Sequence, residues 1–250
     1  MVKVESSSFI IGVDDTDNPD EGGTGRLCRA LAEVLAGQGR VGGVTRHQLP
    51  LLPGIPYTRR NSANALHFTC PPEQFAAAFA EAVRWVAAHC CAGSSPGVCG
   101  GSAAALSTVT FGRTAQERIV TPQEAYEAAE TAQVTLKAAG GDGHGVIGAL
   151  AAAALAASGN DGRFIAVGTV RALTGLVAAA RVRAAGVDQI KSTTGAILID
   201  GYILADAGLR PALREGQSIL FVEWNGHHWL PVRGAPDDDS IRSEHPGATT

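Results

Sequence analysis

Aromatic residues make up only 5% of the chain, lysine occurs three times, methionine once, and no two of the five cysteines stand in a C-x-x-C spacing. Each shortage excludes something. With so few lysines and aromatics, and a formal net charge of −4, the chain lacks the basic–aromatic interleaving of a direct single-strand RNA binder. Arginine abundance alone points to no function. Cys28, Cys70, Cys90, Cys91 and Cys99 lack the paired spacing of a structural zinc site, and the vicinal Cys90-Cys91 pair closes a tetrahedral site poorly, so the thiols read as buried or inert. The longest charge-free stretch, residues 145–159, is too short and too alanine-rich for a bilayer, which needs about 20 apolar residues. Met1-Val2-Lys3-Val4-Glu5 opens without the apolar run of a secretion signal. These features lead us to expect a soluble, cytoplasmic protein with no membrane partner.

What remains is a chain of 250 residues, 45% apolar, that buries roughly 70–75% of its unfolded surface and needs no disulfide to hold a core. Thirty-one glycines predict tight turns and close backbone approaches. The apolar run 8–13, halted by acids, predicts a buried strand, and Leu27, Leu31, Val34 and Leu35 recur at helical spacing. Residues 41–52 and 63–69 read as extended, and Phe75, Phe79, Val83 and Val86 mark a helix over 72–88. A loop is expected at 93–101 and a strand near 106–111. Thr121-Pro122-Gln123-Glu124 has the pattern of a capping box, opening a helix to about 138. Residues 146–157 form an uncharged, hence buried, helix. A strand at 164–170, a helix at 176–185 and hairpins across Asp200-Gly201 and Asn225-Gly226 follow. The fold class is α+β, mixed α/β, in two small domains: 1–113 and 114–233, with a disordered tail at 234–250.

Three segments carry chemistry. Asp14, Asp15, Asp17, Asp20 and Glu21 crowd behind a buried strand, where like charges repel unless a cation or N–H donors offset them. Mg²⁺, which takes one or two carboxylates plus phosphate oxygens and water, is a natural solution. Gly22, Gly23, Thr24 and Gly25 then open a helix, whose amino end and glycine backbone suit phosphate. Together they describe a metal–triphosphate site; the bland alternative is a solvated acidic loop. Second, a proline-stiffened loop delivers Arg59 and Arg60, with Asn61 and Asn64 at a strand start, where guanidinium groups suit phosphate; an exposed arginine pair is the alternative. Third, Gly140–Gly145 precedes a helix and places Asp142 and His144 to reach a ligand, or simply turns the chain.

Gly12-Val13-Asp14-Asp15-Thr16-Asp17, Pro56-Tyr57 with Arg60, and Gly143-His144-Gly145-Val146-Ile147-Gly148-Ala149 stand in the order of three signatures that the chain shares, by resemblance, with archaeal tRNA-isoleucine agmatinylcytidine synthetases. That family joins agmatine to a tRNA cytidine at the expense of ATP. The resemblance implies a kinase-like ATP/Mg-binding domain over 1–113 and a ferredoxin-like, agmatine-binding type of domain over 114–233. It places Asp14, Asp15 and Asp17 on Mg²⁺, with Asp15, Thr24 and Arg60 in catalysis. Gly22, Gly23, Gly25 and Arg59 would line the nucleotide, and Asn61, Asn64, Asp142 and His144 the second substrate. Departures are visible: Gly23-Thr24-Gly25-Arg26 stands where the family has C-T-T-Y, Thr58-Arg59 replaces Lys-Thr, and Asp142 and His144 replace Asn and Arg.

The expected function is an ATP- and Mg²⁺-dependent phosphoryl-transfer or ligase-type enzyme. It activates an oxygen for displacement by an agmatine-like amine or another small molecule. The family's OB-fold and zinc ribbon find no counterpart here, so tRNA is expected only through a partner. The alternative is a non-catalytic amine- or nucleotide-binding module, or one subunit of a split synthetase. A homo-oligomer stays open.

Overall fold

A computed structural model describes residues 6–18, 20, 22–55 and 60–233. Glu21, the Pro56-Tyr57-Thr58-Arg59 stretch and the expected tail at 234–250 lie outside the described residues. The chain divides into two compact units, residues 1–158 and 159–250.

The first unit opens with β1 (Ser7–Asp14), α1 (Thr24–Leu35), β2 (Arg40–Gln48), β3 (Ser62–Cys70), α2 (Pro72–His89) and β4 (Gly97–Ser102). α3 (Ala103–Ser107), α4 (Phe111–Glu117), α5 (Pro122–Thr131), β5 (Thr135–Ala138) and α6 (Val146–Ala157) complete it. The strands lie in the order β5-β4-β1-β3-β2, every neighbouring pair antiparallel. From β1 to β4 this is the β-α-β-β-α-β order of a ferredoxin-like sheet.

The period-two alternation of β1 gives its two faces different work. Phe9, Ile11 and Val13 point to one side, where Phe9 stacks on Phe75 of α2 with ring centroids 4.0 Å apart. Ile10, Gly12 and Asp14 point to the other, against α6. α6 carries no charge, and ten of its twelve residues are buried, as expected of an all-round apolar helix inside a core. Gly12 is required by this packing: a Cβ there would overlap the Ala149 carbonyl oxygen.

The second unit holds β6 (Arg163–Ala166), a 3-10 turn (Val170–Ala172), β7 (Leu176–Ala178), α7 (Ala179–Ala184), β8 (Gln189–Ser192), β9 (Tyr202–Leu204), β10 (Ala212–Arg214), β11 (Gln217–Trp224) and β12 (Trp229–Pro231). Its strands run β6-β10-β11-β12-β9-β7, with β8 parallel on β11. Val182, Ile190, Ile203, Leu220 and Val222 centre its core.

Mixed α/β architecture is as expected, but its parts are distributed differently. Residues 114–157 belong to the first unit, so the division falls after Ser158 rather than at 113/114. The cause is α6, whose apolar surface covers β1 and β3. The ferredoxin-like order expected of the second domain occurs in the first unit; among its described residues the second has one short α-helix, and that topology needs two. The capping box forms, with Thr121 Oγ1 accepting from Glu124 N–H at 3.3 Å. Its helix ends early because Gln133 (φ 55°) takes a left-handed turn and Val134 N–H bonds Ala129 O at 3.0 Å. The strand expected at 106–111 is instead the end of α3, a turn at 108–110 and the start of α4; α3 is started by Ser102, whose Oγ accepts from Ala105 N–H at 3.2 Å. The hairpin across Asn225-Gly226 forms, whereas β9 pairs with β7 and β12 instead of folding back on 196–199.

Candidate functional site

At one end of the first unit's sheet, β1 stops while β3 and β4 begin: Val13 pairs with Asn64, and Asp14 with Gly97. The antiparallel order therefore gathers the acidic loop after β1, the segment before β3 and the Ser95-Pro96-Gly97 turn into one neighbourhood. β4 also pairs with β5, Gly97 opposite Ala138, which brings the glycine loop and the amino end of α6 to the same place.

Asp14 turns under α6. Its carboxylate lies so close to Gly148 that a Cβ on that residue would overlap Oδ2. Burial pushes the Asp14 carboxyl up to about 8, opposed by the Asp15 N–H and reinforced by the Asp15 and Asp17 charges. Asp15 has φ 54°, a left-handed conformation that few residues besides glycine, asparagine and aspartate adopt. Its carboxyl is also raised, first by burial and then by Asp17. The Ser95 N–H pulls the other way, and Asp142 and His144 act on it too, of opposite sign, which places all of these groups close together.

Thr16 and Thr24 are buried and tied together. The Thr16 hydroxyl donates to Thr24 Oγ1 at 3.2 Å, and Thr24 in turn donates to Asp17 Oδ1 at 3.4 Å. Cys91 N–H donates to Thr16 O at 2.9 Å and Asn18 Nδ2 to Ala92 O at 3.3 Å, pinning the loop from outside. Gly22 (φ 92°) and Gly23 (φ 133°) make the turn into α1; a Cβ at Gly22 would come within 2.5 Å of Cys91 Sγ.

The α6 end is built on Ser95. Its carbonyl accepts from Gly145 N–H at 3.0 Å and its hydroxyl from Asp142 N–H at 3.1 Å. Asp142 Oδ1 accepts from His144 N–H at 3.0 Å and lies 2.9 Å from His144 Nδ1. These bonds hold the Asp142 carboxyl down at about 2, the His144 backbone contact contributing most. Both side chains are exposed.

The structure thus joins Asp14, Asp15, Asp17, Gly22, Gly23, Thr24, Gly25, Asp142 and His144 around the end of β1. Arg60 is exposed at the start of the β3 segment at the same sheet end; Arg59 falls outside the described residues. Asn61 is engaged otherwise, its Nδ2 donating to Pro50 O at 2.7 Å and its own carbonyl accepting from Leu49 N–H at 2.8 Å. Asn64 sits on the sheet face opposite α6, fully buried, and neither its amide nitrogen nor its amide oxygen has a hydrogen-bond partner among the described residues. Among the described residues no three His, Cys, Asp or Glu side chains gather as a metal site. The expected trio is divided: Asp14 points under α6, Asp15 to Ser95 and Asp17 to Thr24. Sequence reasoning missed Ser95, for which the Ser94-Ser95-Pro96-Gly97 turn was the available signal, and read Gly148 as part of the third signature without its approach to Asp14.

No protein-family model matches the chain, and no curated protein matches it. Solved structures do. A complex of TiaS with an isoleucine tRNA and ATP is similar with a TM-score of 0.52 at 21% identity, over 59% of this chain and 36% of that one. A complex of TiaS with the same tRNA, AMPCPP and agmatine is similar at 0.51 and 21%, over the same shares. A tRNA fluorescent labelling enzyme is similar at 0.52 and 24%, again over 59% of this chain and 36% of that one. The chain spans about a third of the length of these proteins, and over that part it has the fold of TiaS, a tRNA agmatidine synthetase.

Proposed function

We propose that the chain is an ATP-dependent enzyme of the tRNA-modifying ligase type, with nucleotide held at the end of β1 in the first unit. The observation that carries this reading is the meeting of the Asp14–Asp17 loop, the glycine turn into α1 and the amino end of α6 at one sheet end, in a fold shared with proteins solved with ATP, AMPCPP and agmatine.

Asp15 and Asp17 are the carboxylates suited to a Mg²⁺ ion, which would neutralise phosphate charge and take its other ligands from phosphate oxygens and water. Thr24, at the first turn of α1 and bonded to Asp17, lies where a γ-phosphoryl group would be presented. Gly22, Gly23 and Gly25 let the backbone approach the phosphates, and Arg60, with Arg59 as the sequence suggests, would supply positive charge to them. In-line phosphoryl transfer asks mainly for such positioning and charge neutralisation. The γ-phosphoryl group passes to an acceptor oxygen with ADP leaving. An agmatine-like amine then displaces that oxygen as phosphate, forming the C–N bond and releasing a proton. Asp142 and His144, exposed beside Asp15, are positioned to meet the amine, and the tRNA would be presented by a partner.

Titration calorimetry of ATP into the protein, with magnesium and then with EDTA, tests this. Binding is expected only with the metal and is expected to vanish in Asp15→Asn. Equal heats in all three experiments would refute it.

A further inference from the structure

The second unit carries a polar cleft that the nucleotide reading does not use. Its volume is about 390 Å³, within the range of small-molecule sites. Lys191, Arg214, Glu215, Ile219 and Phe221 line it, together with the turn at 192–195.

Strand register explains its floor. β11 lies between β8, with Lys191 opposite Phe221, and β10, with Arg214 opposite Gln217. Leu220 and Val222 point into the core of the unit, so the period of two sends Ile219 and Phe221 to the other face, along with Lys191 and Arg214. An apolar floor is thus flanked by a cationic side chain on each side.

Both ends are fixed turns. Glu215 (φ 54°) and Gly216 (φ 71°) make the two-residue connection between β10 and β11. Asn160 Oδ1 accepts from Glu215 N–H at 2.9 Å and Gly159 O from Gly216 N–H at 3.0 Å, while Arg214 Nη1 donates to Leu213 O at 2.8 Å. At the other end Gly195 N–H donates to Ser192 O at 2.9 Å and Ala196 N–H to Ser192 Oγ at 3.1 Å, with Thr194 Oγ1 2.8 Å from that same Oγ. The Lys191 ammonium, the Thr193 hydroxyl and the Thr194 N–H have no hydrogen-bond or ion-pair partner among the described residues.

The chemistry of the lining selects the occupant. A half-buried ammonium without a counter-ion favours an arriving anion, and an ammonium, a hydroxyl and a backbone N–H at one end suit the three oxygens of a terminal phosphate. An organic cation would meet Lys191 as a like charge. A nucleic-acid strand draws its affinity from many phosphates along a basic track, and here the Glu215 carboxylate interrupts the track after one. The same carboxylate accepts hydrogen bonds from hydroxyl groups. We propose that this cleft binds a small phosphorylated polyol, its phosphate on Lys191 and the Thr193-Thr194 turn and its hydroxyl groups towards Glu215 across the Phe221 ring. The proposal is independent of the nucleotide reading: a protein indifferent to ATP would still bind the phosphorylated polyol.

Titration calorimetry on the full chain in EDTA, where the first unit is expected to hold no nucleotide, tests this. Ribose 5-phosphate is the probe, with ribose, inorganic phosphate, succinate and a uridine oligonucleotide lacking a terminal phosphate as controls. Saturable binding of ribose 5-phosphate is expected, with inorganic phosphate and succinate about tenfold weaker and no binding of ribose or the oligonucleotide. Lys191→Gln is expected to weaken binding at least about tenfold and Lys191→Arg to retain most of it, with circular dichroism checking that each variant folds. Lys191→Gln should leave magnesium-dependent ATP binding unchanged. The proposal is overturned if ribose, inorganic phosphate or succinate binds as well as ribose 5-phosphate, if the oligonucleotide alone binds, or if no probe binds. It is equally overturned if Lys191→Gln binds ribose 5-phosphate unchanged, or loses ATP together with it.

Discussion

Replacing Asp14 by asparagine should stabilise the protein at alkaline pH and leave it nearly unchanged in acid. Burial raises the Asp14 carboxyl from its ordinary 3.8 to about 8, so the folded state holds a proton that the unfolded chain has lost. The sign follows from linkage: folding stability is undiminished below pH 4 and falls as pH rises towards 8, because the folded state must either keep the proton or bury a charge. Full displacement is worth at most about 6 kcal/mol above pH 8. The side chain keeps some solvent access, so about half of that, about 3 kcal/mol, is the expected gain. Asparagine keeps the shape and an acceptor for the Asp15 N–H, and removes only the charge. Urea unfolding of both proteins between pH 4 and pH 8 measures the effect: the two curves should coincide near pH 4 and separate steadily above it. Parallel curves over the whole range would refute a desolvated carboxyl at the end of β1. The same substitution is expected to weaken nucleotide binding, so that stability and function move in opposite directions.

Further outcomes follow from the same geometry. Gly148→Ala gains about 1 kcal/mol of helix propensity but drives a methyl group into the Asp14 carboxylate, so a net loss of about 1–2 kcal/mol is expected by urea unfolding, together with a shallower dependence of stability on pH. His67, its ring 3.2 Å from Thr45 Oγ1, is held down at about 4 by burial and by His47. Its contribution is present above pH 6.5 and lost as pH falls through that value towards 4, at most about 3 kcal/mol, and His67→Gln should remove this part of the acid limb. Binding of Mg²⁺–ATP beside Asp15 should ionise Asp14, releasing up to about one proton at pH 7, which calorimetry in two buffers of different ionisation enthalpy measures.

Much of this site could be read from residue order alone. The apolar run of β1 broken by aspartates, the glycine turn into α1 and the uncharged α6 all have local causes, and periodicity reports local causes well. β4 did not declare itself, because Gly97, Gly100 and Gly101 weaken any strand signal. Their reason is long-range: added Cβ atoms would strike Gly145, Phe79 and Val134 respectively. Residues 106–111, rich in β-branched side chains, read as a strand, but a serine cap and tertiary packing make them the junction of two short helices, with Thr108, Val109 and Thr110 in the turn between. The unit boundary was hidden for a related reason: composition changes near 112–117, while the contacts that define the first unit run on through α6 to Ser158.

The glycines and the acids of the first unit form one arrangement. Gly12 admits the Ala149 carbonyl, Gly97 admits the backbone of Gly145, and Gly148 admits Asp14 itself, so α6 lies against the sheet at backbone distance along the edge where the carboxylates emerge. A closely packed helix excludes water, and this exclusion raises Asp14. A larger residue at any of the three positions would lift α6, readmit solvent and return Asp14 towards an ordinary surface acid. A neutral side chain would fill the space under α6 at lower electrostatic cost, so the packing alone does not account for a carboxyl there. On the proposed reading, a positive charge arriving at the Asp15–Asp17 side of the loop would account for it, turning the buried carboxyl from a burden on folding into a source of affinity whose size the glycines set.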